Sequence, residues 1–279
     1  MSAPLAPTER LLHGATIPRL GLGTSPMTDA EAEKAVAEAI QAGYRLFDTA
    51  ENYRNEVGVG RGLRVGGLDR ADLFVTTKFN KGWHGVDLVE KAWAGSAERL
   101  GVEYIDLLLI HWPNPGQDRY VDAWQGLINL LESGKVRAIG TSNFKPAHTE
   151  RIIAATGVVP DVNQIQLHPG VARTAAREFH ARHGIVTESW SPLGGESYDL
   201  LADPVVTGLA DRYGRTPAQV VLRWHMELGL VTVPKSSNPE RIAANIDIFD
   251  FRLEPEDVAT LSGLDKGEQA AFDSDRFGH

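Results

Sequence analysis

Y-R-L-F-D at Tyr44–Asp48, L-F-V-T-T-K at Leu73–Lys78 and I-D-L-L-L-I-H at Ile105–His111 share one design: a short apolar run that ends on an ionisable side chain. Runs of this length without polar alternation suit strands covered on both faces, as in parallel sheets. Working outward, comparable runs stand at Leu20–Gly23, Val136–Thr141, Val162–Gln166, Ile185–Ser189 and Leu230–Pro234, which makes eight. Helical periodicity fills the intervals. Asp29–Gln41 repeats Ala32, Ala35, Val36, Ala39 and Ile40 behind Thr28 as N-cap, and similar blocks follow Val86, Tyr120, Pro146, Thr174, Pro217 and Pro239. Such alternation predicts an α/β fold in which successive βα units close into a (β/α)8 TIM barrel. Leu11–Gly14 and Ala15–Arg19 read as a small N-terminal β-hairpin plugging the barrel floor. Gly267–His279 lacks periodicity and reads as a C-terminal loop or mobile tail.

An open doubly wound sheet is the competing architecture, and its nucleotide site needs G-x-G-x-x-G after an early strand. Gly21 and Gly23 are followed by Pro26 where the third glycine belongs, and the Gly58–Gly62 cluster lies in a helical pattern instead. The 279 residues, 42% hydrophobic and 23% charged, show no polar linker between two self-sufficient halves, so one barrel domain over 1–279 is expected. A net charge of −9 argues against a nucleic-acid partner. The absence of cysteine excludes disulfides, thiolate metal sites and a cysteine nucleophile. Met1–Gly14 has no signal-peptide core and no apolar run reaches the ~18 residues that span a bilayer. A cytoplasmic monomer, with no membrane partner, is the expectation. His180 and His183 stand three apart on a helical pattern without a completing third ligand, and read as surface with no metal site.

In a β/α barrel the chemistry lies at the C-terminal ends of the strands. Asp48, Lys78 and His111 end three successive strands and so share one rim. Individually, Asp48 is also explained as a helix cap, Lys78 as a solvated lysine and His111 as a core histidine. A lysine emerging from an apolar strand is costly unless a carboxylate pairs with it, and Asp48 is the natural partner. Tyr53, five residues past Asp48, is near enough to fold back over the rim. A nearby ammonium stabilises phenolate, so its pKa is expected to fall from about 10, making it a proton donor. His111 would orient a carbonyl oxygen as negative charge develops on it. Lys235, Ser236, Asn238 and Arg241 follow the eighth strand where a helix begins, an anion site by residue type.

Together with D-T-A-E-N-Y-R-N-E (Asp48–Glu56), T-K (Thr77–Lys78) and I-H-W-P (Ile110–Pro113), four further motifs resemble the aldo-keto reductases: G-T-S-N-F (Gly140–Phe144), V-N-Q-I-Q-L-H-P (Val162–Pro169), S-P-L-G (Ser191–Gly194) and V-P-K-S (Val233–Ser236). The likeness runs over nearly the whole chain. It implies NADPH, bound across the barrel mouth without a Rossmann motif and used to reduce a small-molecule carbonyl. Tyr53 would be the proton donor, Asp48 and Lys78 its tuning pair, and His111 the orienting group. Ser142, Asn143 and Gln164 match carboxamide-binding positions, Trp190 replaces a tyrosine that stacks on nicotinamide, and Thr24, Asp48, Ser191, Leu193 and Gly194 complete that half of the cofactor site. Lys235, Ser236, Ser237, Asn238 and Arg241 would hold the 2′-phosphate and Asn245 the adenine, although Ala244 stands where many members carry glutamate.

In the substrate pocket, Ser25 and Asn80 occupy positions where the family often has tryptophan, beside His111 and the retained Trp112, while Phe272 and Phe277 offer a wall from the tail. With V-L-R-W-H at Val221–His225 and E-S-W-S-P-L-G at Glu188–Gly194, the chain looks most like bacterial members such as 2,5-diketo-D-gluconate reductase. A polar dicarbonyl, keto-sugar or keto-acid is the substrate class that this implies. Two other functions fit the fold. One is a noncatalytic NADPH-binding protein; the other is a Schiff-base aldolase using Lys78, which would require a neutral amine.

Overall fold

The runs between helical blocks pair side by side, and their order in space is their order in the chain. An antiparallel hairpin, β1 (Thr8–Arg10) with β2 (Thr16–Pro18), comes first. Then β3 (Gly21–Gly23), β4 (Leu46–Asp48), β5 (Phe74–Phe79), β6 (Ile105–Ile110), β7 (Val136–Ser142), β8 (Val162–Gln166), β9 (Val186–Trp190) and β10 (Val231–Thr232) form one eight-stranded sheet in sequential order. Each neighbouring pair is parallel. Parallel bridges Leu20↔Thr232 and Gly23↔Lys235 join the two edges, so the sheet closes as the expected (β/α)8 barrel. The computed structural model from which this is drawn describes residues 5–195 and 198–279; Met1–Pro4, part of the N-terminal stretch read above, lie outside it.

Helices α1 (Asp29–Ala42), α2 (Glu56–Val65), α3 (Val86–Leu100), α4 (Tyr120–Glu132), α5 (Pro146–Thr156) and α6 (Thr174–His183) alternate with the strands. Thr28 caps α1 as expected, in a reciprocal capping box with Glu31. In α2, a Cβ on Gly58 would meet the carbonyl oxygen of Asp29 at 2.1 Å and one on Gly60 that of Leu100 at 2.0 Å. Those glycines let α2 wedge between α1 and α3, which accounts for a cluster that serves no phosphate. After β9 come α7 (Pro204–Tyr213) and α8 (Pro217–Glu227), and after β10 α9 (Pro239–Ile246) and α10 (Pro255–Ser262). The sequence reading missed α7 and α10. It also drew two strands too long by two residues or more, since Tyr44 and Arg45 precede β4, with Tyr44 binding the Ile242 carbonyl of α9 through its hydroxyl at 3.0 Å, while Leu230, Val233 and Pro234 lie outside β10.

The barrel interior is filled by Leu46, Phe74, Leu107, Leu109, Ala138, Val162, Val231 and Val233, and Leu11 and Ile17 from the hairpin region join the same cluster. The plug expected at the floor is therefore present, with its second arm inside the expected Ala15–Arg19 but its first arm displaced. The first arm is Thr8–Arg10, and Leu11–Gly14 forms the turn, whose Leu11 amide binds the Ala15 carbonyl at 2.8 Å. Burying Leu11 and Ile17 contributes about 2–3 kcal/mol each. One polar clamp holds the turn. The fully buried carboxylate of Asp161 accepts from the His13 amide at 2.9 Å, the His13 ring at 2.8 Å and the Ile139 amide at 3.0 Å.

The hydrogen bond to Asp161, opposed by desolvation, leaves the His13 pKa raised. A raised folded-state value means that the charged ring stabilises the fold fully below its unfolded value, about 6.5, and that this contribution is lost as pH rises through the folded value. We predict that thermal melts of His13→Gln fall short of the wild type most at about pH 6 and that the gap narrows towards about pH 8.5. A gap that widens with pH contradicts the clamp.

Candidate active site

Strand register decides which polar side chains meet. Asp48 pairs with Thr76 across β4 and β5, so Lys78, two residues on, emerges on the same inner face just above it. Lys78 is fully buried, and its ammonium donates to Asp48 Oδ1 at 2.7 Å, Asp48 Oδ2 at 2.8 Å and the Thr49 carbonyl at 3.0 Å. Gln164 Nε2 supplies a further bond to Asp48 at 2.8 Å. Desolvation pulls the Lys78 pKa down, but Asp48 and Tyr53 outweigh it and the net shift is upward. Lys78 is thus held charged.

Tyr53 ends a 3-10 turn, Glu51–Tyr53, after which Arg54 takes a left-handed φ of 57°. The residues that hold this turn were quoted in the motif without a role. Asn55 accepts from Thr49 Oγ1 at 2.8 Å and donates to the carbonyls of Thr24 and Met27 at 3.0 and 3.1 Å. Glu56 accepts from Thr77 Oγ1 and from Arg99 Nε, each at 2.6 Å. So fixed, the Tyr53 hydroxyl stands 3.5 Å from Lys78 Nζ. The expected fall in its pKa does not occur. Burial is the largest influence and raises it, Lys78 only opposes, and the net direction is up, so the phenol keeps its proton at neutral pH.

His111 follows β6, with its ring 5.8 Å from that of Tyr53 at 76°. Burial, then Lys78 and His279, push its pKa well below 6.5. A neutral imidazole and a neutral phenol therefore stand side by side. They open on a cavity of about 340 Å3 whose lining includes Asp48, Trp112, Ser142, Asn143, Gln164 and Trp190.

Most of the expected site residues gather here. Thr24, Ser25, Ser191 and Lys235 also line the cavity. Asn143, at φ 63°, donates to the His111 carbonyl at 3.1 Å and accepts from Trp190 Nε1 at 2.9 Å, which fixes the indole plane at the rim. Ser142 Oγ donates to the Gln164 carbonyl at 3.0 Å. Leu193 and Gly194 stand in the loop after β9, with Leu193 packed on the core and Gly194 at φ 104°. Beyond Lys235, Ser236 is buried and Ser237 exposed, and Asn238 caps α9 by accepting from the Arg241 amide at 2.9 Å. Asn245 is buried on the same helix. Lys235 and Arg241 are exposed, and neither is ion-paired among the described residues.

Three expectations are corrected. Asn80 does not line the cavity; it faces a neighbouring cleft with Glu51 and Arg54, its amides 3.4 Å from the Glu51 carboxylate. Phe272 and Phe277 are not among the residues lining it and are more than half exposed, with the Phe272 ring 6.0 Å from that of Trp190. The tail nevertheless crosses the mouth. Lys145 binds Asp273 at 2.6 Å, His148 binds Asp275 at 3.0 Å and the Phe272 amide binds Gln166 at 2.9 Å. His279 thereby enters the cavity, its ring 4.6 Å from His111 and 6.0 Å from Trp112. Nothing local in the sequence marks it. Finally, His180 is buried rather than on the surface, with both ring nitrogens bonded, to Asn163 at 2.9 Å and Thr187 at 2.8 Å.

Comparison with known proteins agrees with this geometry. The sequence profile described as "Aldo/keto reductase family" matches residues 18–266. An aldo-keto reductase of Mycolicibacterium smegmatis is 46% identical over 273 residues, covering 98% of each chain. Methylglyoxal reductase DkgA of Escherichia coli is 43% identical over 269 residues, 96% of this chain and 97% of that one. The crystal structure of Gox0644 in its apo form superposes with a TM-score of 0.92 at 43% identity, covering 98% and 99% of the two chains. A variant of the same protein crystallised in complex with NADPH gives 0.91. Fold, site and relatives coincide, and the chain belongs to the aldo/keto reductase family.

Proposed function

We propose that this protein reduces small polar aldehydes and ketones with NADPH, with Tyr53 as the proton donor. The observation that carries the reading is the neutral Tyr53 phenol, held beside the Lys78 ammonium and facing the His111 imidazole across one cavity. NADPH, when bound, supplies the hydride. The chain's residues fit that group: Trp190 offers an aromatic face at the rim, and Lys235 and Arg241 stand unpaired among the described residues where the capped N-terminus of α9 favours an anion.

The division of labour follows from charge. A carbonyl oxygen that gains negative charge needs a donor at the moment the charge appears. Tyr53 carries a proton to give, and Lys78 beside it stabilises the phenolate left behind. His111, neutral, hydrogen-bonds the same oxygen without competing for its charge. The aldolase alternative is disfavoured because Lys78 is fully buried and charged against Asp48, the opposite of a nucleophilic amine. A noncatalytic role leaves a complete proton-donating group unused.

The substrate reading rests on the cavity. About 340 Å3 is at the small end for a ligand pocket, and the nicotinamide ring must share it. Its walls present Ser25, His111 and His279, and the Trp112 indole nitrogen is buried without a partner among the described residues. A small dicarbonyl, keto-sugar or keto-acid satisfies those groups, whereas a purely apolar ketone leaves them unpaired. The name methylglyoxal reductase, carried by a relative, is consistent with that class. The loss of Asn80 from the cavity weakens the polar reading at one position, and His279 restores it at another.

Tyr53→Phe is expected to lower turnover by at least about 100-fold while leaving the NADPH dissociation constant within about twofold, since the phenol's proton and not its bulk is removed. Turnover near the wild-type value would unseat Tyr53 as the acid. Arg241→Ala is expected to weaken NADPH about tenfold and NADH by less than about twofold, measured by fluorescence titration; equal losses would remove the phosphate from this site. Small dicarbonyls and keto-sugars are expected to exceed bulky apolar ketones such as steroids in kcat/KM by at least about tenfold. A preference for the steroids would overturn the substrate class alone.

A further inference from the structure

Beneath the cavity lies an ionisable side chain that the proposed reaction does not use. Along β9, Val186 packs on the interior cluster and Trp190 lines the cavity, so Glu188 between them shares their inward face. It is fully buried, and the one donor near it, the Gln164 amide, is bonded to Asp48 at 2.8 Å, so neither Glu188 oxygen has a well-formed hydrogen bond among the described residues. In register, it stands between Gln164 on β8 and Val231 on β10, neither of which carries charge. Gln164, its register partner, donates to Asp48 of β4, which pairs with Lys78 of β5, so these two charges and the titratable Tyr53 are the ones that act on it. Lys78 is already committed to Asp48 through both carboxylate oxygens. An ionised Glu188 would thus be a second buried anion competing for a single buried cation. Burial, followed by the Asp48 carboxylate, pushes its pKa up to about 8 against the pull of Lys78.

This carboxyl lies two residues deeper than Trp190 on the same strand face, about 6–7 Å along it. On the reading above, Trp190 stacks on a nicotinamide ring that is neutral in NADPH and positively charged in NADP+. We propose that Glu188 is the charge-setting residue of this site: protonated, it keeps the pocket matched to the reduced cofactor, and ionised, it favours the oxidised one. Glu188 thus makes the cofactor preference of the pocket depend on pH. It acts through the field and touches neither substrate nor the reacting atoms, so it is a positioning residue. Glu188→Gln keeps the shape of the neutral acid and removes its ionisation.

The inference rests on the proposed cofactor site, and the experiment separates the two. NADPH and NADP+ are titrated against the wild type and Glu188→Gln by protein fluorescence from about pH 6.5 to about pH 9.5, a range that brackets the ionisation. The ratio of the NADP+ to the NADPH dissociation constant is expected to fall by at least roughly tenfold with rising pH in the wild type, as for unit charges no more than about 12 Å apart at an effective dielectric constant near 20. In Glu188→Gln it is expected to stay flat. The 2′-phosphate is common to both nucleotides and cancels in the ratio. A wild-type slope retained in Glu188→Gln, or a flat wild-type ratio, overturns the role of Glu188 and leaves the reductase reading intact. Failure of either nucleotide to bind the wild type at any pH overturns the cofactor site itself. Should Glu188→Gln not fold, infrared difference spectra of the wild type over the same range decide: loss of a protonated carboxylic acid band on raising the pH is expected, and its absence overturns the proposal.

Discussion

The ion pair of Lys78 with Asp48 is the constraint around which the upper half of the barrel is arranged. Both groups are buried, at 0% and 6% side-chain exposure, so each depends on the other to offset its desolvation. Removing one partner of such a pair costs about 3–5 kcal/mol, because the remaining charge is stranded. The surroundings are built to prevent that. Thr49 and Gln164 satisfy what the pair leaves over, and the parallel register of β4 and β5 holds the two side chains at bonding distance.

The same pair sets the electrostatics of its neighbours. Lys78 lies close enough to Tyr53 to stabilise a phenolate once formed, yet burial dominates before that and keeps the phenol neutral. His111 is kept neutral first by burial and then by the ammonium. The pocket thus presents donors without a free charge, which suits a reaction in which charge appears only transiently on the substrate. Glu188 fits the same logic, since a second carboxylate in this space would break the balance between Asp48 and Lys78.

The two ends of the barrel are closed by different means. At the floor, Leu11 of the turn and Ile17 of β2 enter the interior, and the turn is clamped by Asp161. At the mouth, the tail is held mainly by polar contacts, with Lys145 and His148 meeting Asp273 and Asp275 and the Gln166 side chain meeting the Phe272 amide. An apolar plug fills the end that carries no chemistry. A polar strap leaves the other end open to a polar ligand.

How much of this could be read from residues alone follows from the range of each interaction. The strands, most of the helices, the barrel and the gathering of Asp48, Tyr53, Lys78 and His111 at one rim were legible, because period, strand ends and motif spacing are local properties and a β/α barrel gathers strand ends at one rim. The helices α7 and α10 and the first arm of the hairpin were not, since those elements draw on packing against the finished barrel more than on their own pattern. The direction of the Tyr53 pKa was misread, because charge proximity can be guessed from spacing whereas desolvation depends on everything packed around the hydroxyl. Asn80 left the cavity and His279 entered it for the same reason. The sequence by itself determined which ionisable side chains stand at the rim; only the tertiary structure decided the walls of the pocket and the charges within it, because both depend on contacts between residues more than a hundred positions apart, such as Lys145 with Asp273 and Asp48 with Gln164.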